Sequence, residues 1–204
     1  MATHQSTRLT AADLPEVIDV MADAFRDYPV MRYVVGPGGD VGARTRRLVE
    51  LFVTRRLRRG GPMFGVVDRD SGTLAAAAIL TLPTEAPPPE DLAPWVDAIW
   101  TALGSDAFDR YQQYAASWPV IEATPHHHLN MIGVRRAHAG SGLARALLTT
   151  VAALADADPG SSGVSLTTEV ARNVPFYEHF GYQVVGHKVV SPTLETWALL
   201  RRCP

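Results

Sequence analysis

The sequence predicts an α/β domain, and three observations carry that prediction. Two strand-like runs, "MFGVVD" and "TLAAAAIL", are separated by Arg69-Asp70-Ser71-Gly72, the pattern of a β-hairpin. A third apolar run, "HHHLNMIGV", passes through two arginines and a glycine loop straight into a long helical pattern. Near the C-terminus a short helical piece is followed by two more strand-like runs, Tyr182–Val190 and Leu194–Leu200.

The elements follow in order. Thr3–Leu9 reads as a short strand. A helix begins after Leu9-Thr10-Ala11-Ala12-Asp13 and puts Leu14, Val17, Ile18, Met21 and Phe25 on one face. Tyr28-Pro29 is expected to end it, because the residue before a proline is pushed away from helical geometry. Gly36-Pro37-Gly38-Gly39 is a loop. A second helix runs from about Val41 to Arg59, with Leu48, Leu51, Phe52 and Leu57 inward, and Gly60-Gly61-Pro62 stops it. After the hairpin, "LPTEAPPPEDLAP" carries five prolines and opens a helical insertion at about 83–120. Its two helices, Ala93–Leu103 and Asp106–Ala116, draw apolar faces from Trp95, Ile99, Trp100, Phe108, Tyr111 and Tyr114, a core of their own or the wall of a pocket. The chain then reads as strand His126–Val134, helix Ser141–Ala155, strand Val164–Thr168 and short helix Asn173–Phe180, ahead of the two last strands.

Bulk properties narrow the function. The 204 residues, 47% of them hydrophobic, suit a single domain over 1–204 with a full core. A net charge of −2 gives no field that would attract nucleic acid or a membrane surface. The arginine cluster Arg44, Arg46, Arg47, Arg55, Arg56, Arg58 and Arg59 reads as a solvated helix face. The one cysteine, Cys203, allows no internal disulfide, which suits a reducing compartment. No apolar run reaches the roughly 20 residues that span a bilayer. The expectation is a cytoplasmic protein, with monomer or homodimer left open.

The stretch Ala139-Gly140-Ser141-Gly142 stands where a strand hands over to a helix. The first four N–H groups of a helix have no intrahelical acceptor and sit at the positive end of its dipole. Glycines there let a ligand approach the backbone, which makes an anion site, most often for phosphate. A plain strand-to-helix turn is the alternative. Arg135, Arg136 and Arg145 stand nearby. A Walker-type loop would end in Gly-Lys-Ser/Thr, whereas this one ends Gly-Leu-Ala. A dinucleotide fingerprint would need a third glycine where Arg145 stands, and only 35 residues follow Glu169, too few for a second βαβ half. An NAD(P)-dependent oxidoreductase is therefore a weak rival.

The third design fits. Ala139-Gly140-Ser141-Gly142-Leu143-Ala144 resembles the pyrophosphate-binding motif Gln/Arg-x-x-Gly-x-Gly/Ala of the GNAT superfamily of acyl-CoA-dependent N-acyltransferases, with Gly142 and Ala144 in register. Ala139 departs from the usual Gln or Arg. "HHHLNMIGV" is similar to the histidine-containing strand of small-molecule members. About 30 residues on, "TEVARNVPFYEHFGYQVVG" resembles the family's Asn-x-x-x-Tyr helix followed by Gly-Phe/Tyr and a strand. The likeness covers roughly residues 126–190. It implies a mixed, mostly antiparallel, partly splayed central sheet flanked by helices. It also implies transfer of an acetyl group from acetyl-CoA, as co-substrate, to an amine of a small molecule by direct attack in a ternary complex.

The resemblance assigns roles. Tyr177 would be the general acid that protonates the leaving thiolate, and Asn173, four residues earlier, would touch the cofactor. The backbone of Ile132, Gly133 and Val134 would pair with the pantetheine arm, with Val134 N–H or its neighbour as oxyanion donor. The amides of Gly140, Ser141, Gly142, Leu143 and Ala144 would hold the pyrophosphate, with Arg135 or Arg136 making good the loss at Ala139. The amine must be neutral to attack, and a free alkyl ammonium has a pKa of about 10, so a base is needed. His126 and His128 share a strand face, and His128 is nearer the implied reaction centre. Glu122 and Glu169 are other candidates, and packing against the insertion is the plainer role for the histidines. No metal is expected, since only two of the three histidines can face one way. The rival function is a non-catalytic acyl-CoA-binding or regulatory protein, which Ala139 favours.

Overall fold

The computed structural model describes residues 4–118, 121 and 124–204. Strand β1 (Thr7–Leu9) leads through one 3-10 turn into α1 (Leu14–Ala24). The Asp13 carboxylate closes that entrance by accepting from Thr10 N at 2.7 Å and from the Thr10 hydroxyl at 2.9 Å. Helices α2 (Pro29–Val35) and α3 (Val41–Arg58) follow, then β2 (Met63–Val67) and β3 (Leu74–Thr81). The insertion supplies α4 (Leu92–Leu103) and α5 (Ser105–Ala116). Then come β4 (His127–Val134), α6 (Leu143–Asp156), β5 (Gly163–Thr168), α7 (Val174–Glu178), β6 (Gln183–Ser191) and β7 (Leu194–Arg202).

The seven strands form one sheet in the order β1-β2-β3-β4-β5-β7-β6. Every neighbouring pair is antiparallel except β4 with β5. This is the mixed, mostly antiparallel sheet that the sequence implied. Hydrophobic cores lie on both faces. One packs α1 to α5 over residues such as Met21, Leu48, Leu51, Ile79 and Ile99; the other packs α6 and α7 over Leu147, Val151, Leu166 and Leu199. Strand β3 serves both by alternation, Ala77 and Ile79 facing the first core and Ala76, Ala78 and Leu80 the second. Its run of fully buried alanines leaves room for helices to approach from either side. None of the described helices is long and apolar enough to cross a membrane.

Several boundaries differ from the sequence expectation, and one helix, α2, was not expected. Among the described residues the first strand is Thr7–Leu9, and Thr3, where it was expected to begin, lies outside them. Helix α1 stops at Ala24, and Tyr28-Pro29 starts a helix instead of ending one: Tyr28 is extended, and Pro29 occupies the first turn of α2, where its fixed φ and missing N–H cost nothing. The C-terminal helix begins at Val174, after a 3-10 turn over Ala171–Asn173. The insertion has both characters considered for it. Trp100 packs on Phe108 and Tyr111 at 5.3 and 4.9 Å between ring centroids, while Tyr111 and Tyr114 also reach the central cleft. Most of the arginine face is ion-paired or anchored: Arg46 with Asp19, Arg47 with Glu50, Arg58 with Asp91, Arg59 with Glu85.

Candidate active site

The site begins where two parallel strands part. β4 and β5 are joined by three rungs, His127 with Val164, His128 with Ser165 and Leu129 with Leu166, and by none after that. On its other side β4 continues along β3 to Val134, opposite Ala76. Ile79 faces Met131 but Leu80 faces Leu129, so Asn130 is an extra residue, a bulge at the point of parting. Its side-chain oxygen accepts from the Thr81 hydroxyl at 2.8 Å. Beyond the bulge the backbone alternates. Arg135 N donates to Ala75 O at 2.8 Å, so Gly133 and Met131 also turn their amides toward β3. Ile132 and Val134 therefore turn theirs into the gap that β5 has left. Gly133 faces α1, where an added Cβ would stand 2.9 Å from both Ala24 Cβ and Met21 Sδ.

β4 then feeds the glycine loop. A 3-10 turn over Arg136–His138 is followed by Gly140 and Gly142, whose φ values of +79° and +87° explain the glycines. Gly142 is the N-cap of α6, and the first helical bond runs from Ala146 N to Gly142 O. Among the described residues, no group accepts from the N–H of Gly140, Gly142, Leu143 or Ala144, and a Cβ at either glycine would meet open space. The Ser141 hydroxyl is turned back on His138 O at 2.5 Å, and Ser141 O accepts from His4 Nε2 at 3.0 Å. Of the two arginines beside the loop, Arg136 is held by carboxylates and Arg135 is anchored through Nε alone. Arg135 Nε donates to Leu74 O, and Arg136 bonds Asp23 and pairs with Asp27 at 2.6 Å. Arg145 lies over the Phe180 ring, 5.3 Å from its centroid, and stays exposed. Backbone amides, Arg145 and the Arg135 charge, which no described carboxylate pairs, give the loop its positive character.

The gap opens into a cleft of about 890 Å³, counting its mouth. Tyr177, Asn173, Glu169, His128 and Ile132 all line it, so most of the sequence-predicted reaction centre is gathered in one place. Tyr177 is 8% exposed, and its hydroxyl has no hydrogen-bond partner among the described residues. Burial, with Glu169 nearby, pushes its ionisation well above that of free tyrosine, so it carries its proton. Asn173 reaches Thr168 Oγ1 at a long 3.4 Å. Glu169 is buried, and one carboxylate oxygen accepts from the Tyr114 and Thr196 hydroxyls at 2.7 and 2.9 Å. Burial raises its pKa above the ordinary value and those hydroxyls pull it partly back.

His128 is half-buried on the β4 wall, with Nδ1 2.8 Å from Ser165 Oγ. Desolvation, then the Arg56 charge, lowers its pKa to about 4. His126 sits just before the strand and bonds Thr124 O at 2.7 Å. Glu122 lies outside the described residues. Two parts of the cleft escape sequence reasoning. Phe25 and Tyr28 wall it because α2 folds back, and Arg56 enters it from α3. The spacing of Phe52 and Arg56, four residues apart on α3, was the available signal, since it puts an inward aromatic and one arginine on the same helix face.

Comparison with known proteins agrees with this geometry. Residues 111–195 match the family model of an acetyltransferase (GNAT) domain, a span holding β4, the glycine loop and Tyr177. The fold as a whole matches solved structures. One is a histone acetyltransferase HPA2-related acetyltransferase from Corynebacterium glutamicum, with a TM-score of 0.73 and 21% identity, over 100% of this chain and 98% of that one. Arylalkylamine N-acetyltransferase 2 from Aedes aegypti gives 0.67 at 15% identity, over 100% of both chains. Polyamine N-acetyltransferase from Drosophila melanogaster gives 0.61 at 14% identity, over 98% of this chain and 100% of that one. The GNAT resemblance read from the motifs therefore holds, in the fold and in the matched segment.

Proposed function

We propose that this GNAT-fold protein is an N-acetyltransferase that moves the acetyl group of acetyl-CoA to an amine of a small molecule, by direct attack in a ternary complex. The observation that carries the reading is the parting of β4 from β5 after Leu129 and Leu166. It leaves the Ile132 and Val134 backbone edge open between a row of unpaired amides at one end and Tyr177 at the other. A pantetheine arm laid along that edge as an extra strand would bring the thioester to Tyr177, with its pyrophosphate on Gly140–Ala144. Ala139 brings no side chain to the loop, and the amides, Arg145 and the Arg135 charge supply the attraction instead.

The chemistry follows from the groups at the cleft. The neutral amine nitrogen attacks the thioester carbon, forming a C–N bond; an amide N–H of β4 stabilises the oxyanion, and the C–S bond then breaks. Tyr177 gives its proton to the departing thiolate and the amine gives one up. We assign that second proton to His128. Ser165 Oγ lies 3.5 Å from His127 O, which can only accept. A hydroxyl donating there receives Nδ1–H of His128 and leaves the lone pair on Nε2, which has no partner among the described residues. Held near 4, His128 is neutral at pH 7 and passes the proton on instead of keeping it. The aromatic lining from Phe25, Tyr28, Phe52, Tyr111 and Tyr114 suits an acceptor with an apolar or aromatic body. Among the matched structures, the Aedes arylalkylamine enzyme is named for such an acceptor.

The test is calorimetric titration with acetyl-CoA, then thiol release over a panel of amines. Binding with release is expected. Binding with no release from any amine would favour the non-catalytic acyl-CoA binder, and no binding would defeat both readings.

A further inference from the structure

We infer that the acceptor carries a carboxylate as well as its amine, and that the Arg56 guanidinium at the α3 wall of the cleft receives it. The inference rests on the acetyl-transfer reading of the cleft and adds the substrate class.

Arg56 differs from its neighbours on α3. Arg44 is anchored to the carbonyls of Gly38 and Leu103, and Arg46, Arg47, Arg58 and Arg59 each hold a carboxylate. Arg56 instead turns into the cleft, one helical turn beyond Phe52. Among the described residues no carboxylate or carbonyl receives its N–H groups, and Glu85, the acid that influences it, is already bound to Arg59 at 2.6 Å. An arginine keeps its charge at any physiological pH. A guanidinium half-sunk in an aromatic wall, with no partner of its own, is a group arranged to meet an anion from outside.

The acid of the cleft does not neutralise Arg56. Glu169 is held by Tyr114 and Thr196, and no ion pair joins it to Arg56. The cleft therefore offers an unneutralised cationic group beside His128, with Tyr177 and Glu169 elsewhere on its lining. A zwitterion fits that pattern: its amine within reach of His128, its carboxylate on the neighbouring Arg56, and an apolar or aromatic body against Phe52 and Tyr111. A polyamine does not fit, because its second ammonium would meet the guanidinium. Among the described residues Arg56 is the single arginine or lysine of the cleft lining, which suits a carboxylate better than a phosphate dianion.

The experiment uses the whole chain. The affinities of 3-phenylpropionate and 3-phenylpropionamide are measured by calorimetry with the wild type, Arg56→Met and Arg56→Lys, each in the presence of CoA. Thiol release is measured in parallel with phenylalanine, phenylalaninamide and phenethylamine. The expected result is binding of the acid at least about tenfold tighter than the amide in the wild type. That preference should collapse in Arg56→Met and be partly kept in Arg56→Lys. Acid bound no more tightly than amide, or a preference intact in Arg56→Met, overturns the inference. The wild-type pair decides even where a variant fails to fold. The binding comparison needs no turnover, so absence of thiol release would sink the transferase reading while the fate of Arg56 is decided separately.

Discussion

His128 Nδ1 lies 2.8 Å from Ser165 Oγ, and the two residues face each other on the second of the three rungs that join β4 to β5. The sheet itself thus fixes the imidazole just before the strands part, and holds it between Ser165 on one side and the cleft on the other. Its low pKa and its position have a common origin, because the wall that aims the ring also desolvates it and brings Arg56 near.

That arrangement makes stability depend on pH in a definite direction. The imidazole pKa falls from 6.5 to about 4 on folding. Between those values the unfolded chain takes up a proton that the native one does not. The contribution is complete above pH 6.5 and is lost as pH falls toward 4, by at most about 3 kcal/mol. Glu169 acts in the opposite sense, since its raised pKa makes stability fall as pH rises through its own window. The difference between wild type and His128→Gln isolates the histidine. Urea unfolding at pH 7.0 and 4.5 should show the wild type losing more stability than the variant; equal losses would mean the ring is not held neutral.

Activity should separate the two candidate bases. After correction for ionisation of the amine, a profile governed by His128 has no enzyme inflection between pH 5 and 8, because that group titrates near 4. Glu169 as base would place an inflection above the usual carboxylate range. Replacing His128 by Gln should lower kcat by about 10²–10⁴, the usual worth of a general base. A profile that inflects near neutrality and disappears in Glu169→Gln would move the role to Glu169.

Tyr177→Phe removes one buried hydroxyl that has no partner among the described residues, so nothing is left unpaired. Melting temperature and acetyl-CoA affinity should stay close to wild type while kcat falls, most steeply for amines whose reaction is limited by thiolate departure. An unchanged kcat would take Tyr177 out of proton transfer.

What the sequence made legible follows from how local each signal is. The order of the strands and of every helix but α2, the glycine turn and the Asn173–Tyr177 spacing are written in short stretches, and they appear nearly where expected. The cleft depends on long-range packing. Tyr28-Pro29 reads as a helix stop because proline disfavours helix in the residue before it, yet the same proline suits the first turn of the next helix. That reversal swings Tyr28 against Thr168, with the two hydroxyl oxygens 3.0 Å apart. Arg56 was hidden among similar residues, and only the packing of α3 against the sheet separates it from the ion-paired face. The bulge at Asn130 left no local mark, because it is a mismatch between two strands.

Gly142 tests the loop. At φ +87° a Cβ would touch nothing, so Gly142→Ala carries only the cost of left-handed backbone, about 1 kcal/mol. Any loop rearrangement that relieves it would turn the free amides away from their aim. Thermal unfolding should show the small loss, and titration should show acetyl-CoA binding weakened about tenfold or more. Stability lost with affinity intact would mean that the amides do not hold the co-substrate.

Gly133 makes the complementary case, because there the cost is contact and not conformation. An added Cβ would stand 2.9 Å from Met21 Sδ, which can swing aside, and 2.9 Å from Ala24 Cβ, which can move only with α1. Gly133→Ala should therefore cost about 1–3 kcal/mol. It should also weaken acetyl-CoA binding, because Ile132 and Val134 on either side would shift with the strand. Combining it with Ala24→Gly should recover more stability than the effects of the two separate changes predict, since the two positions share one contact. Strict additivity in chemical unfolding would show that α1 does not set the position of β4.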